Sequence, residues 1–186
     1  MTAEFNRVSE KSVHQWAVWS LIQGEFVDPS GTAFTRTFVR SPGAVGIIAL
    51  DGDKGSRKVV LVRQYRPALG VTTLEIPAGM RDLVGEDPIL TAHRELEEEA
   101  GLVAATMVDL GRHISAPGMS NSSVDLFLAT DLTETKIDRH GPEEQFMTIE
   151  KIGFERCIEM IKLGEIQDAK TVIGLLLVAL TAKTYI

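Results

Sequence analysis

Residues 79–102 read GMRDLVGEDPILTAHRELEEEAGL and place Glu95, Glu97, Glu98 and Glu99 within five consecutive positions near the end of a predicted helix. Asp87 and Pro88 form an N-cap and first-turn pair, and Gly101 is the natural residue past the last turn. On that helix Glu95 lies one turn from both Glu98 and Glu99, so like charges meet at i,i+3 and i,i+4, each pair costing roughly 0.2–0.5 kcal/mol. The partly negative helix C-terminus adds to the penalty. Many acidic runs are merely solvated faces. Here Ile89, Ala92, Leu96 and Ala100 supply an apolar stripe, so the helix has a core side and a carboxylate side. Such a ridge calls for a cation. Hard divalent ions such as Mg²⁺ take carboxylate oxygens and complete their shell with water and substrate phosphate, which implies a phosphate-ester or pyrophosphate substrate.

The rest of the chain bounds this reading. Its 186 residues are 44% apolar and 24% charged, enough for a substantial core. A net charge of −7 without any basic run argues against a nucleic-acid partner. Cys157 is the only cysteine, which precludes an intramolecular disulfide and fits a reducing compartment. Its place in the pattern Phe154, Cys157, Ile158, Ile161 predicts a buried core thiol. No basic-then-apolar leader is evident at the start, and the apolar run from Val172 to Leu180 is too short to span a bilayer. Cytoplasmic residence and no membrane partner are therefore expected. His14, His93, His113 and His140 are dispersed and give no zinc spacing.

Strands are predicted from Val13 to Arg40, with a turn at Asp28-Pro29-Ser30-Gly31, forming a small N-terminal β appendage over residues 1–42. A second hairpin joins Ala44–Leu50 to Lys58–Gln64. Thr73–Pro77 reads as a short strand before the acidic helix, with further strands near Met107–Gly111 and Val124–Thr130. Helices are predicted near Phe154–Leu163 and Asp168–Lys183. Strands with helices on both sides make an α/β sandwich over residues 43–186.

The order Gly79, Glu86, Arg94, Glu95, Leu96, Glu98, Glu99, Gly101, Leu102 resembles the Nudix hydrolase motif, with one departure: six residues rather than five separate Gly79 from Glu86. The resemblance implies a Nudix-type α/β/α sandwich with a mixed sheet and hydrolysis of a nucleoside diphosphate linked to another group. Pro117, fifteen residues after Leu102, together with Arg63-Gln64-Tyr65-Arg66, Leu74–Gly79 and Gly164-Glu165-Ile166, looks like the ADP-ribose pyrophosphatase branch. That branch implies a homodimer formed through the N-terminal region.

The same resemblance assigns Mg²⁺ or Mn²⁺ to Glu95, Glu98, Glu99 and the carbonyl of Ala78, with Arg94 orienting a neighbour such as Glu98. Arg66 would hold phosphate and Arg36 ribose, although Arg36 could be an exposed strand charge. Trp16 and Trp19 are candidates for stacking on adenine or for dimer packing. Pro117 and Gly118 join the substrate-binding set. A general base is expected from Gly141-Pro142-Glu143-Glu144-Gln145, read as a loop, with Glu144 preferred over Glu143; an exposed acidic turn is the alternative. Met119-Ser120-Asn121-Ser122-Ser123 lacks the acid that relatives often carry there. Rival readings are a pyrophosphatase for ADP-glucose or GDP-mannose, or a non-catalytic nucleotide-binding module.

Overall fold

The computed structural model describes residues 4–139 and 141–181, so His140 and Lys183 lie outside the described residues. It divides into two compact units. One holds the residues up to Gly43 together with Ile114–Ser123, and the other holds Ala44–His113 and the chain from Val124 onward. The sequence boundary near residue 42 gave the N-terminal unit no share of the later chain, whereas these contacts group Ile114–Ser123 with it.

The first unit is an antiparallel sheet in the order β1 (Asn6–Trp16), β2 (Trp19–Val27), β3 (Ala33–Arg40). β1 begins seven residues before the predicted start at Val13. Every one of its residues is exposed, so no apolar alternation announces it; backbone pairing to β2, with register shifts at Arg7/Ser9 and Ser12/His14, defines it instead. Asp28 fixes the next turn, its Oδ1 accepting from the backbone N–H groups of Ser30 and Thr32.

The second unit contains the predicted sandwich. Its mixed sheet runs β10 (Thr148–Gly153), β5 (Lys58–Arg66), β4 (Ala44–Asp51), β9 (Ser123–Glu134), β8 (Leu102–Ile114). Two short strands join off that path: β6 (Val71–Glu75) beside β5 and β7 (Ala78–Met80) beside β4. β4 and β9 are parallel, while β4–β5 and β5–β10 are antiparallel.

The centre of the sheet is buried on both faces, and period-two alternation along β4 sorts its side chains. Val45, Ile47 and Ala49 pack with Ala92, Leu96 and Ala100 of α1 (Pro88–Ala100). Ile48 and Leu50 pack with a second core that includes Phe154, Cys157 and Met160 from one helix and Leu175 and Val178 from another. Those two helices follow a helical turn, α2 (Pro142–Gln145), and are α3 (Phe154–Lys162) and α4 (Ala169–Thr181). Cys157 is the core thiol its pattern predicted, and burial pushes its pKa up to about 11. No helix among the described residues is long and apolar enough to cross a membrane.

Helix α4 reaches close to the sheet at Gly174, where an added Cβ would lie 2.6 Å from Cδ1 and 2.8 Å from Cγ1 of Ile48. Ile48 is fully buried and cannot retreat. Gly174→Ala should therefore lower stability by roughly 1–3 kcal/mol through overpacking, although alanine favours helix by about 1 kcal/mol. Urea denaturation of the variant checks this, and a stabilised variant would contradict the packing described.

Candidate active site

Helix α1 starts where the sequence predicts. Asp87 Oδ1 accepts from the Ile89 N–H at 3.1 Å, Pro88 opens the first turn, and Gly101 closes the helix in a left-handed conformation at φ 64°. The extra residue before the helix is absorbed in a turn at Leu83–Glu86, where Gly85 takes φ 83° and the Glu86 N–H donates to the Leu83 carbonyl. Glu86 consequently reaches back to α1, accepting from Thr91 Oγ1 at 2.8 Å and from Arg94 Nη2 at 3.4 Å.

The carboxylates do not form a solvated ridge. Glu95 and Glu99 are only 9% and 6% exposed, and with Glu98, Ala78 and Arg94 they line a polar cavity of about 360 Å³. Gly79 makes room for this: a Cβ there would fall 1.9 Å from the Glu95 carboxyl carbon, so any other residue would displace the carboxylate. The Ala78 N–H donates to Glu99 Oε2 at 2.9 Å and fixes its direction. Arg94 lies among the acids, 2.7 Å from Glu95, 3.1 Å from Glu98, 3.4 Å from Glu86 and 3.6 Å from Asp82. Burial disfavours its charge, but Glu95, Glu86 and Glu98 hold it firmly protonated.

Burial has the opposite consequence for the two inner acids. It raises Glu95 to about 7, partly offset by Arg94, and Glu99 to about 8, where the Ala78 N–H offsets it while Glu95 and Glu144 add repulsion. An all-oxygen donor set with incompletely compensated charge, cradled against a glycine, suits a hard divalent cation. Among the described residues, no three acidic, imidazole or thiol groups already close on a single ion position. Glu95 is turned to Arg94 and Glu99 to the Ala78 peptide.

Other predicted residues divide between the units. Arg66 and Glu144 line the same cavity as the three glutamates. Glu143 instead lines a separate, mostly apolar cavity with Tyr65, Pro142 and Phe146. The loop expected at Gly141–Gln145 is the short helical turn α2: Pro142 occupies its first turn, and Glu144 Oε2 accepts from the Gly141 N–H at 3.3 Å. Adjacent glutamates on a helical turn diverge, which separates Glu144 from Glu143.

Trp16, Trp19, Arg36, Pro117 and Gly118 belong to the first unit. Trp16 pairs with Trp19 across the β1–β2 hairpin, with ring centroids 6.4 Å apart, and stacks on His14. Arg36 lies over Phe34, 4.9 Å from the ring centroid. The polar residues that stand where relatives often carry an acid do local structural work. Asn121 Oδ1 accepts from the Ser41 N–H, its own N–H donates to the Val39 carbonyl, and Ser120 Oγ accepts from the Ser122 N–H.

Sequence reading missed Glu75 and Lys170. Glu75 is 2% exposed and binds Arg66 through both oxygens, at 2.7 and 2.6 Å, and Lys170 as well. A charge inside the apolar stretch Leu74-Glu75-Ile76 was a signal for Glu75. Nothing local marks Lys170.

The raised acids fix how metal-free stability depends on pH. Glu95 and Glu99 bind protons more tightly folded than unfolded, so between about pH 4.5 and 8 the native state holds more protons and stability falls as pH rises. Melting temperatures in a chelator should decline across that window, and Glu99→Gln should flatten the decline. A melting temperature that climbs from pH 5 to 8 would refute this electrostatic description.

The NUDIX domain profile matches residues 40–167. The chain is 38% identical to the ADP-ribose pyrophosphatase of Mycobacterium tuberculosis over 94% of its length and 83% of that protein's. It is 33% identical to the ADP-ribose pyrophosphatase of Bacillus subtilis over 90% of its length and 89% of that protein's. The crystal structure of an ADP compounds hydrolase shares its fold, with a TM-score of 0.83 over 97% of this chain and 95% of the other at 21% identity. With that profile spanning most of the chain and the motif carboxylates gathered around one cavity, the chain belongs to the NUDIX family.

Proposed function

We propose that this protein is a divalent-metal-dependent hydrolase that cleaves the pyrophosphate of ADP-ribose to AMP and ribose 5-phosphate. The cavity in which Glu95, Glu98, Glu99 and Glu144 converge around Arg94 and Arg66 carries the reading. The choice of substrate rests on relatives that align with at least 90% of the chain.

Glu95, Glu98, Glu99 and the Ala78 carbonyl would hold Mg²⁺ or Mn²⁺, which when bound supplies charge neutralisation of the pyrophosphate and a lowered pKa for the attacking water. Arg94 keeps Glu95 and Glu98 in fixed directions through its 2.7 and 3.1 Å contacts. Glu144 accepts the water proton at its carboxylate as water adds to phosphorus and the bridging P–O bond breaks; its presence in the cavity favours it over Glu143. Arg66 offers its guanidinium to phosphate oxygens. Trp16 and Trp19 serve adenine, with Arg36, Pro117 and Gly118 completing recognition.

A homodimer through the N-terminal region completes the proposal. It accounts for a β1 strand that is exposed along its whole length and carries Val8 and Val13 at 63% and 54% exposure. Cytoplasmic residence suits the single reduced cysteine.

Purified protein with Mg²⁺ should cleave ADP-ribose faster than ADP-glucose or GDP-mannose, and a chelator should abolish turnover. Glu144→Gln should lose about 10²–10⁴ in kcat at saturating metal, the usual magnitude for a general base, while Glu143→Gln keeps most activity. A Glu144→Gln enzyme within tenfold of wild type would remove Glu144 from the base role. Faster cleavage of another nucleotide sugar would reassign the substrate, and ADP-ribose binding without cleavage would favour a nucleotide-binding module.

A further inference from the structure

We propose that Lys170 is a positioning residue for substrate binding: by sharing Glu75 with Arg66, it keeps the Arg66 guanidinium facing the carboxylate cavity and the surrounding cluster neutral beside the pyrophosphate. The inference rests on the pyrophosphatase reading above and extends it to a residue outside the motif.

Glu75 ends strand β6 as a buried carboxylate. Its Oε1 accepts from Arg66 Nε at 2.7 Å and from Thr73 Oγ1 at 2.6 Å, while its Oε2 accepts from Arg66 Nη2 at 2.6 Å and from Lys170 Nζ. Burial opposes the charge on Glu75, but Arg66 and Lys170 hold its pKa down to about 2, so it is ionised throughout the working range. A guanidinium has five N–H donors. Glu75 takes one edge of Arg66, and no described residue accepts from Nη1. The remaining edge matches two phosphate oxygens.

Lys170 matters because it balances the second acid of the cluster, Asp168, whose charge would otherwise repel an anionic substrate. Glu75, Asp168, Arg66 and Lys170 sum to zero. Without Lys170 the cluster carries −1 beside the pyrophosphate site. Helix α4 fixes the lysine through its first turn: Lys170 Nζ lies 3.0 Å from Asp168, whose Oδ2 accepts from the Thr171 N–H and hydroxyl at 3.0 and 2.6 Å. Thr171 Oγ1 in turn accepts from the Ile76 N–H at 2.9 Å. The start of α4 thus grips residues 75 and 76 just ahead of Ala78 and Gly79. Lys170 makes its ion pairs with Glu75 and Asp168, and of the α1 acids its charge reaches Glu99 only as the smallest of the influences on it, so its effect should fall mainly on affinity rather than on the chemical step.

The test combines steady-state kinetics on ADP-ribose with calorimetric titration of ADP into the full-length protein, folding being checked by thermal melting. Lys170→Met should raise KM and weaken ADP binding on the order of tenfold, the effect of one unit charge at roughly 10 Å in an effective dielectric near 20. Its kcat should stay within about threefold, and Lys170→Arg should restore affinity, since the charge returns. Asp168→Asn adds a net positive charge while keeping a side chain that caps helices well; it should tighten ADP binding and supplies the test should Lys170→Met fail to fold. Unchanged KM and ADP affinity in folded Lys170→Met, a loss confined to kcat, or weaker ADP binding in Asp168→Asn each overturn the proposal. A wild type that leaves ADP-ribose intact, yet loses ADP affinity with Lys170→Met, rejects the substrate reading and keeps the positioning role.

Discussion

Burial of carboxylates at the end of α1 is the constraint around which the second unit is organised. Glu95 and Glu99 are held almost entirely away from solvent, and both are pushed toward neutrality by it. Such groups persist when partners or ligands compensate them. Arg94 compensates four acids from one guanidinium, and the Ala78 N–H compensates Glu99. Gly79 is part of the same arrangement, because only a residue without Cβ lets the Glu95 carboxylate lie against the strand.

The sheet makes that burial possible. Alternation along β4 sends Val45, Ile47 and Ala49 to the α1 side and Ile48 and Leu50 to the side of α3 and α4. Helix α1 is consequently anchored by Ala92, Leu96 and Ala100 while its adjacent positions carry the acids. On the opposite face, α4 packs closely enough at Gly174 for its first turn to hold strand residues that adjoin the site. Two helices on opposite faces therefore bear on one cavity: α1 supplies acids, and α4 holds Glu75, which holds Arg66.

Polar substitutions outside the motif find a structural account in the same local terms. Asn121 and Ser120 tie the segment after Pro117 to residues 39 and 41 and to itself by hydrogen bonds within the first unit. The extra residue before Glu86 is taken up by a glycine turn, and Glu86 still reaches Arg94.

The order of residues alone determined α1, its caps, its two faces and the hairpin of β4 and β5, because helix capping and apolar periodicity are local properties of the chain. It also gave the acidic set and the pairing of Arg94 with Glu98, which one helical turn brings together. Strand β1 was legible only in part, since a strand exposed on both faces has no burial pattern to read. Tertiary structure decided that Glu144 shares the carboxylate cavity while Glu143 does not, that Ile114–Ser123 groups with the N-terminal unit, and that Lys170 meets Glu75 across 95 residues of chain. These are contacts between segments remote in sequence, fixed by sheet topology and core packing, and no local pattern of residues encodes them.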